Sequence, residues 1–148
     1  MKKLLTLATV AALTVASLPS LAASPWMVEN DLTKEECSAC HMAYAPGFLP
    51  KRSWRAIMDN LTNHFGEDAS LDDTARAEIS NYLVGVAPRD IRGLSSIAVP
   101  LRITELPWYQ HEHGSRARAY AQSHRDIGTL SNCTGCHRGA ERGFFDDD

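Results

Sequence analysis

Apolar residues recur at helical spacing in three stretches of the chain, and the segments between them keep neither a helical nor a strand period. The clearest stripe is Trp54, Ile57, Met58, Leu61, His64 and Phe65, at i, i+3, i+4, i+7, i+10 and i+11, which predicts one face of a helix that Gly66 ends. A second helix is predicted from the capping acids Asp72 and Asp73 to about Val86, with Ala75, Ile79, Tyr82, Leu83 and Val86 facing inward. A third begins at Pro107-Trp108-Tyr109, is interrupted at Gly114 and resumes from Ser115 to Ser123. Further upstream, Thr33-Lys34-Glu35-Glu36 reads as a capping box, with Thr33 capping and Glu36 reaching back, for a short helix that carries Cys37 to His41. Breakers fill the gaps: Ala45-Pro46-Gly47 and Pro50 reverse the chain, and Pro88, Gly93 and Pro100 punctuate an irregular stretch. Within that stretch Ile97 to Ile103 is apolar enough to lie against a core in extended form, and it marks a boundary between regions of about 23–87 and 88–148. Asp126 to Gly128 predicts a turn before a last short helix, and the final Asp146-Asp147-Asp148 a solvated tail. The expected fold is mainly α, with short helices and long loops.

The first residues follow a different pattern. Lys2 and Lys3 precede an apolar run from Leu4 to Val15, then Ser17, Pro19 and Ser20 lead to Ser20-Leu21-Ala22. This is the layout of a secretory signal peptide over residues 1–22, cleaved near Ala22, and it predicts a periplasmic mature chain from Ala23. The run is short for a spanning helix, which needs about 20 apolar residues. Removing Lys2 and Lys3 from 15 basic and 18 acidic residues leaves 13 against 18, a net charge of −5. Arg116, Arg118, Arg138 and Arg142 are too few and too interleaved with acids to form a phosphate-binding stripe, so no nucleic-acid partner is expected.

The chemistry lies in a repeated motif. Cys37-Ser38-Ala39-Cys40-His41 recurs as Cys133-Thr134-Gly135-Cys136-His137, and these hold all 4 cysteines of the chain. Two thiols one turn apart can form thioethers to the two vinyl groups of a haem, and the histidine that follows can take the iron. Four thiolates could instead share one zinc ion, but zinc does not need the histidine after each motif. A dithiol redox site would need one motif on a thioredoxin-like sheet, and no strand pattern surrounds either copy. The reading is therefore a protein with two haem c groups and an iron in each. On a mature chain of about 126 residues, two such macrocycles supply much of the apolar contact, which makes this a small haem-organised fold with a haem lobe in each half.

Two haems have four axial positions. His41 and His137 fill one each, which leaves His64, His111, His113 and His124 for two places. His64 is the only free histidine in the first half, and it shares the apolar stripe with Trp54, Ile57 and Leu61. For the second haem His113, His124 and His111 all remain in play. His111 and His113 point about 200° apart on a helix, so at most one of them faces the iron. Trp108 and Tyr109 beside His113 can pack on a macrocycle, whereas Gln122, Ser123, Arg125 and Asp126 around His124 look solvated. Met58 is a rival ligand that would raise the reduction potential, but it reads as core filler. Met42 adjoins His41 and cannot reach the opposite haem face, and Met27 lies in a loose N-terminal segment.

The chain resembles the small dihaem cytochromes c of bacterial periplasms. The resemblance is carried by Cys37 to Tyr44 with Pro46-Gly47, Leu49-Pro50 and Ser53-Trp54; by His64 to Leu71; by Arg102 to Trp108; and by Asn132 to His137. It implies two six-coordinate haems with histidine on both faces, His113 as the sixth ligand of the second, and electron transfer with other haem proteins. It also implies a membrane cytochrome b as donor and a small oxygen-binding monohaem c-type cytochrome as acceptor. The contrasting class is a peroxidase or gas-binding sensor in which one distal ligand leaves. No acid and base pair around a substrate pocket is visible in the sequence, so the expectation is an electron carrier rather than an enzyme.

Overall fold

A computed structural model describes residues 24–145. The predicted signal peptide, residues 1–22, and the acidic tail Asp146–Asp148 lie outside the described residues. Among the described residues there are five α-helices joined by single 3-10 turns and loops, with no strand: α1 Asp31–Cys37, α2 Lys51–Met58, α3 Asp73–Val86, α4 Pro107–Glu112 and α5 Ser115–Ser123. None of them is long and apolar enough to cross a membrane.

The cap of α1 differs from the predicted box. Asn30 caps the helix, its side-chain oxygen accepting from the Thr33 amide at 2.7 Å and from the Thr33 hydroxyl at 2.8 Å. Thr33 is buried inside the first turn, and asparagine is at least as good a cap as threonine. The helix also stops at Cys37, so Cys40 and His41 lie beyond it in a turn.

The helix predicted across Trp54 to Phe65 breaks early. Pro50 starts α2 and the buried Trp54, Ile57 and Met58 form its inner face, but the backbone leaves the helix at Asn60, with φ −135° and ψ 41°. Asp59, Asn60, Thr62 and Asn63 follow in quick succession, and such side chains compete with the helix for backbone hydrogen bonds. Leu61–Asn63 is a 3-10 turn, so His64 is not on a helix face. The helix predicted from Asp72 and Asp73 to about Val86 is found over its whole length. Asp72 caps α3 by accepting from Thr74 and Ala75 amides at 2.9 and 3.0 Å, and Ala75, Ile79 and Leu83 are buried.

Helices α2 and α3 pack together, and the main core runs from there into the second half. Leu49, Trp54, Met58, Ile79 and Leu83 join Leu106 and Tyr109 in one cluster, so buried residues on both sides of position 88 share a core. The irregular stretch after α3 is gathered by one side chain. The Arg52 guanidinium donates to the carbonyls of Arg89 at 2.8 Å and Ser95 at 2.9 Å and also to that of Ala98, and it pairs with Asp90 at 3.0 Å. The expectation that Ile97 to Ile103 lines a core fails for most of that segment: Ile97 is 86% exposed, and Val99 and Leu101 are also exposed. Arg52 holds carbonyls at Arg89, Ser95 and Ala98, while Ile91, Leu94 and Ile103 pack partly buried against the core. Helices α4 and α5 fall where they are predicted, separated at His113-Gly114. The last motif is a 3-10 turn, Cys133–Gly135, rather than a helix.

Candidate haem-binding sites

The first site starts at the C-terminal end of α1. Cys37 is half-buried, and Cys40 is exposed in the turn that follows. The Nδ1 of His41 lies 2.7 Å from the Met42 carbonyl. A carbonyl oxygen can only accept, so Nδ1 carries the proton and Nε2 keeps a lone pair for a metal. One face of the His41 ring is covered by Tyr44, stacked at 4.7 Å and 17°. The His64 ring stands 6.1 Å from that of His41, with 25° between their planes. Burial holds the His64 imidazole below its ordinary pKa, and nearby His41 adds to the effect.

His64 is presented by a tight turn, which the helical stripe did not foretell. His64 and Glu67 exchange backbone hydrogen bonds at 2.7 and 3.2 Å, and the residues between them, Phe65 and Gly66, have φ of +58° and +105°. Glycine adopts such angles freely, but for phenylalanine the left-handed region is strained. The Arg102 guanidinium lies 4.2 Å from the centroid of the Phe65 ring and helps to fix it.

In the second site Asn132 donates to the Ile127 carbonyl at 3.1 Å and so ties the approach to Cys133 back onto the preceding turn. Cys133 is half-buried and Cys136 exposed, as in the first motif. The His137 ring faces His113 at 6.0 Å, with 82° between planes, and Phe145 edge-on at 5.8 Å. Among the described residues its Nδ1 is buried without a partner. His113 follows the last residue of α4, its Nδ1 3.3 Å from the Tyr109 carbonyl and its ring stacked on Tyr109 at 4.1 Å and 9°. Of the other candidates, His111 is exposed on α4. His124 stacks on Tyr120 at 3.9 Å and has its Nδ1 2.9 Å from the Tyr120 carbonyl. Met58 is buried in the core beside Trp54 and Ile57.

All four cysteines are free. Burial pushes the Cys37 thiol up to about 11, with Glu36 adding to the rise, and burial likewise pushes Cys133 up to about 11. Among the described residues no three histidine, cysteine or carboxylate side chains converge as a metal-holding group, so the two motifs do not pool their sulfurs on one ion.

The donor set fits haem instead. Two imidazoles on opposite faces of one iron, each bonded through nitrogen at about 2 Å, have ring centroids about 6 Å apart. Both histidine pairs have that separation, and each stands beside a half-buried and an exposed cysteine at thioether spacing. A helical chain with two such sites is a c-type cytochrome that binds two haems. More narrowly, it belongs to the dihaem cytochrome c family, whose pattern it matches over residues 33–145. It is similar to the diheme cytochrome c from Rhodobacter sphaeroides, with 48% identity and a TM-score of 0.70 over 80% of this chain and 98% of that one. The diheme cytochrome type c from Shewanella baltica OS155 matches at 39% identity and a TM-score of 0.69, over 81% of this chain and 89% of that one. No curated protein matches the chain. The family makes the protein a haem-binding electron carrier with two haem c groups.

Proposed function

We propose that the protein relays electrons in the periplasm between a membrane cytochrome b and a small oxygen-binding monohaem c-type cytochrome, through two bis-histidine haems. Cys37 and Cys40 hold the first haem, with His41 and His64 as its axial ligands. Cys133 and Cys136 hold the second, with His137 and His113. The observation that carries this reading is the matched separation of the ring pairs, 6.1 Å and 6.0 Å. Each bound haem supplies a one-electron iron couple. The chain's own residues do the rest. Carbonyls at Met42 and Tyr109 orient His41 and His113 so that Nε2 faces away from the backbone. With both axial positions filled by histidine, a small substrate has no place to bind, which favours a carrier over a peroxidase or gas sensor.

Absorption spectra of the single variants test the assignment. Both haems should be low spin in the parent protein, and His64→Ala and His113→Ala should each convert one haem to high spin and open it to carbon monoxide when reduced. His124→Ala and His111→Ala should leave the spectrum unchanged. A high-spin His124→Ala protein beside a normal His113→Ala protein would reverse the second assignment. Carbon monoxide binding by the reduced parent would favour the labile-ligand reading.

A further inference from the structure

Two tyrosines from opposite halves of the chain meet between the sites. Tyr44 stacks on His41 in the first site and Tyr109 on His113 in the second. Their hydroxyls do not end in their own sites. Tyr44 donates to the Ser131 carbonyl at 2.7 Å and Tyr109 to the Leu130 carbonyl at 2.5 Å. These are consecutive carbonyls, and Ser131 stands two residues before Cys133. The second attachment motif thus hangs from a segment held by one hydroxyl from each site.

We infer that Tyr44 and Tyr109 are positioning residues that link the two haem sites: each ring fixes a ligand imidazole, and both hydroxyls hold the Leu130–Ser131 segment that carries the second motif. The inference rests on the ligand reading above for His41 and His113. Ordinary aromatic packing would account for Tyr109, which is only 4% exposed and belongs to the main core. It does not account for two hydroxyls converging on adjacent carbonyls from residues 65 apart in sequence. Tyr44 is the informative one, because its ring serves one site and its hydroxyl the other. A stack keeps a ring in plane without needing the hydroxyl, whereas a part-buried carbonyl that loses its donor must find another or shift.

Electron paramagnetic resonance of the oxidised protein separates these contributions. His64→Ala and His113→Ala assign the two low-spin signals, since each variant should remove one of them. Tyr44→Phe keeps the ring on His41 but releases Ser131. It should shift the signal of the second haem and leave that of the first in place. Tyr44→Leu removes the stack as well and should shift both, and Tyr109→Phe should shift only the second. Mass spectrometry should find two haems in every tyrosine variant, which separates a change of orientation from a loss of cofactor. If the histidine variants keep both signals, the ligand reading fails and takes this inference with it. If they behave as expected but Tyr44→Phe leaves the second signal unmoved, the ligand reading stands and the link is wrong.

Discussion

Helices α2 and α3 give the first half of the chain a scaffold of its own: Trp54, Met58, Ile79 and Leu83 are buried against one another without help from either attachment motif. The second half has helices of six and nine residues, and from α5 onward the buried side chains among the described residues are Ala121, Ile127 and Ala140. Helices that short are marginal unless a packed face supports them. A haem held by Cys133 and Cys136 would therefore act as the missing core of its region, whereas one held by Cys37 and Cys40 would be added to a core that already exists. The histidine pairs differ in the same sense. His41 has a strong carbonyl partner and lies 25° from the plane of His64, while His137 has a buried Nδ1 without a partner among the described residues and lies 82° from the plane of His113.

The largest effect should come from removing one haem at a time. Replacing Cys133 and Cys136 by serine should abolish amide protection over residues 115–143 while α3 stays protected, as hydrogen exchange read by mass spectrometry would show. Replacing Cys37 and Cys40 should leave protection in both α2 and α3. Equal losses in the two proteins would show that neither region stands without its haem. A smaller and purely electronic difference should appear in the intact protein. Imidazole planes that are nearly parallel split the two iron d orbitals that accept their π density, whereas perpendicular planes leave them close in energy. The resonance spectrum of the oxidised protein should therefore hold one rhombic signal, from the first haem, and one far more anisotropic signal, from the second. Two rhombic signals would contradict the 82° angle. The smallest effect tests how the first motif is carried. Asn30→Ala should cost about 1 kcal/mol in thermal unfolding, the usual value of a lost helix cap. If the predicted box were right, the loss would instead follow Glu36→Ala, which should be close to neutral because the Thr33 hydroxyl is already bound to Asn30.

What could be read from the sequence was whatever depends on composition and short spacing. The two motifs, α3 with its Asp72 cap, and the break between α4 and α5 at Gly114 all follow from local residues. The presentation of His64 could not be read so easily, because its apolar spacing is that of a helix while Asp59, Asn60 and Asn63 turn the backbone aside. The Phe65-Gly66 pair was the available clue, since glycine after such a run permits the positive φ the turn needs. The choice among His111, His113 and His124 was out of reach of spacing alone. Tyr109 precedes His113 by four residues and Tyr120 precedes His124 by four, and both pairs stack. Only the long-range approach of His137 to His113 distinguishes them. Tyr44, Arg52 and Arg102 were missed for the same reason: their partners lie far along the chain.

The hydrogen bond from Tyr44 to Ser131 closes over 87 residues, and that separation is also an interval of time. In an exported chain that crosses the membrane from its N-terminal end, the donor reaches the far side before its acceptor. Contacts so distant in sequence are among the last to form. Cys37, Cys40 and His41 are thus available to a haem well before the surroundings of His41 can close, and the first site is finished only when the segment leading to the second motif arrives.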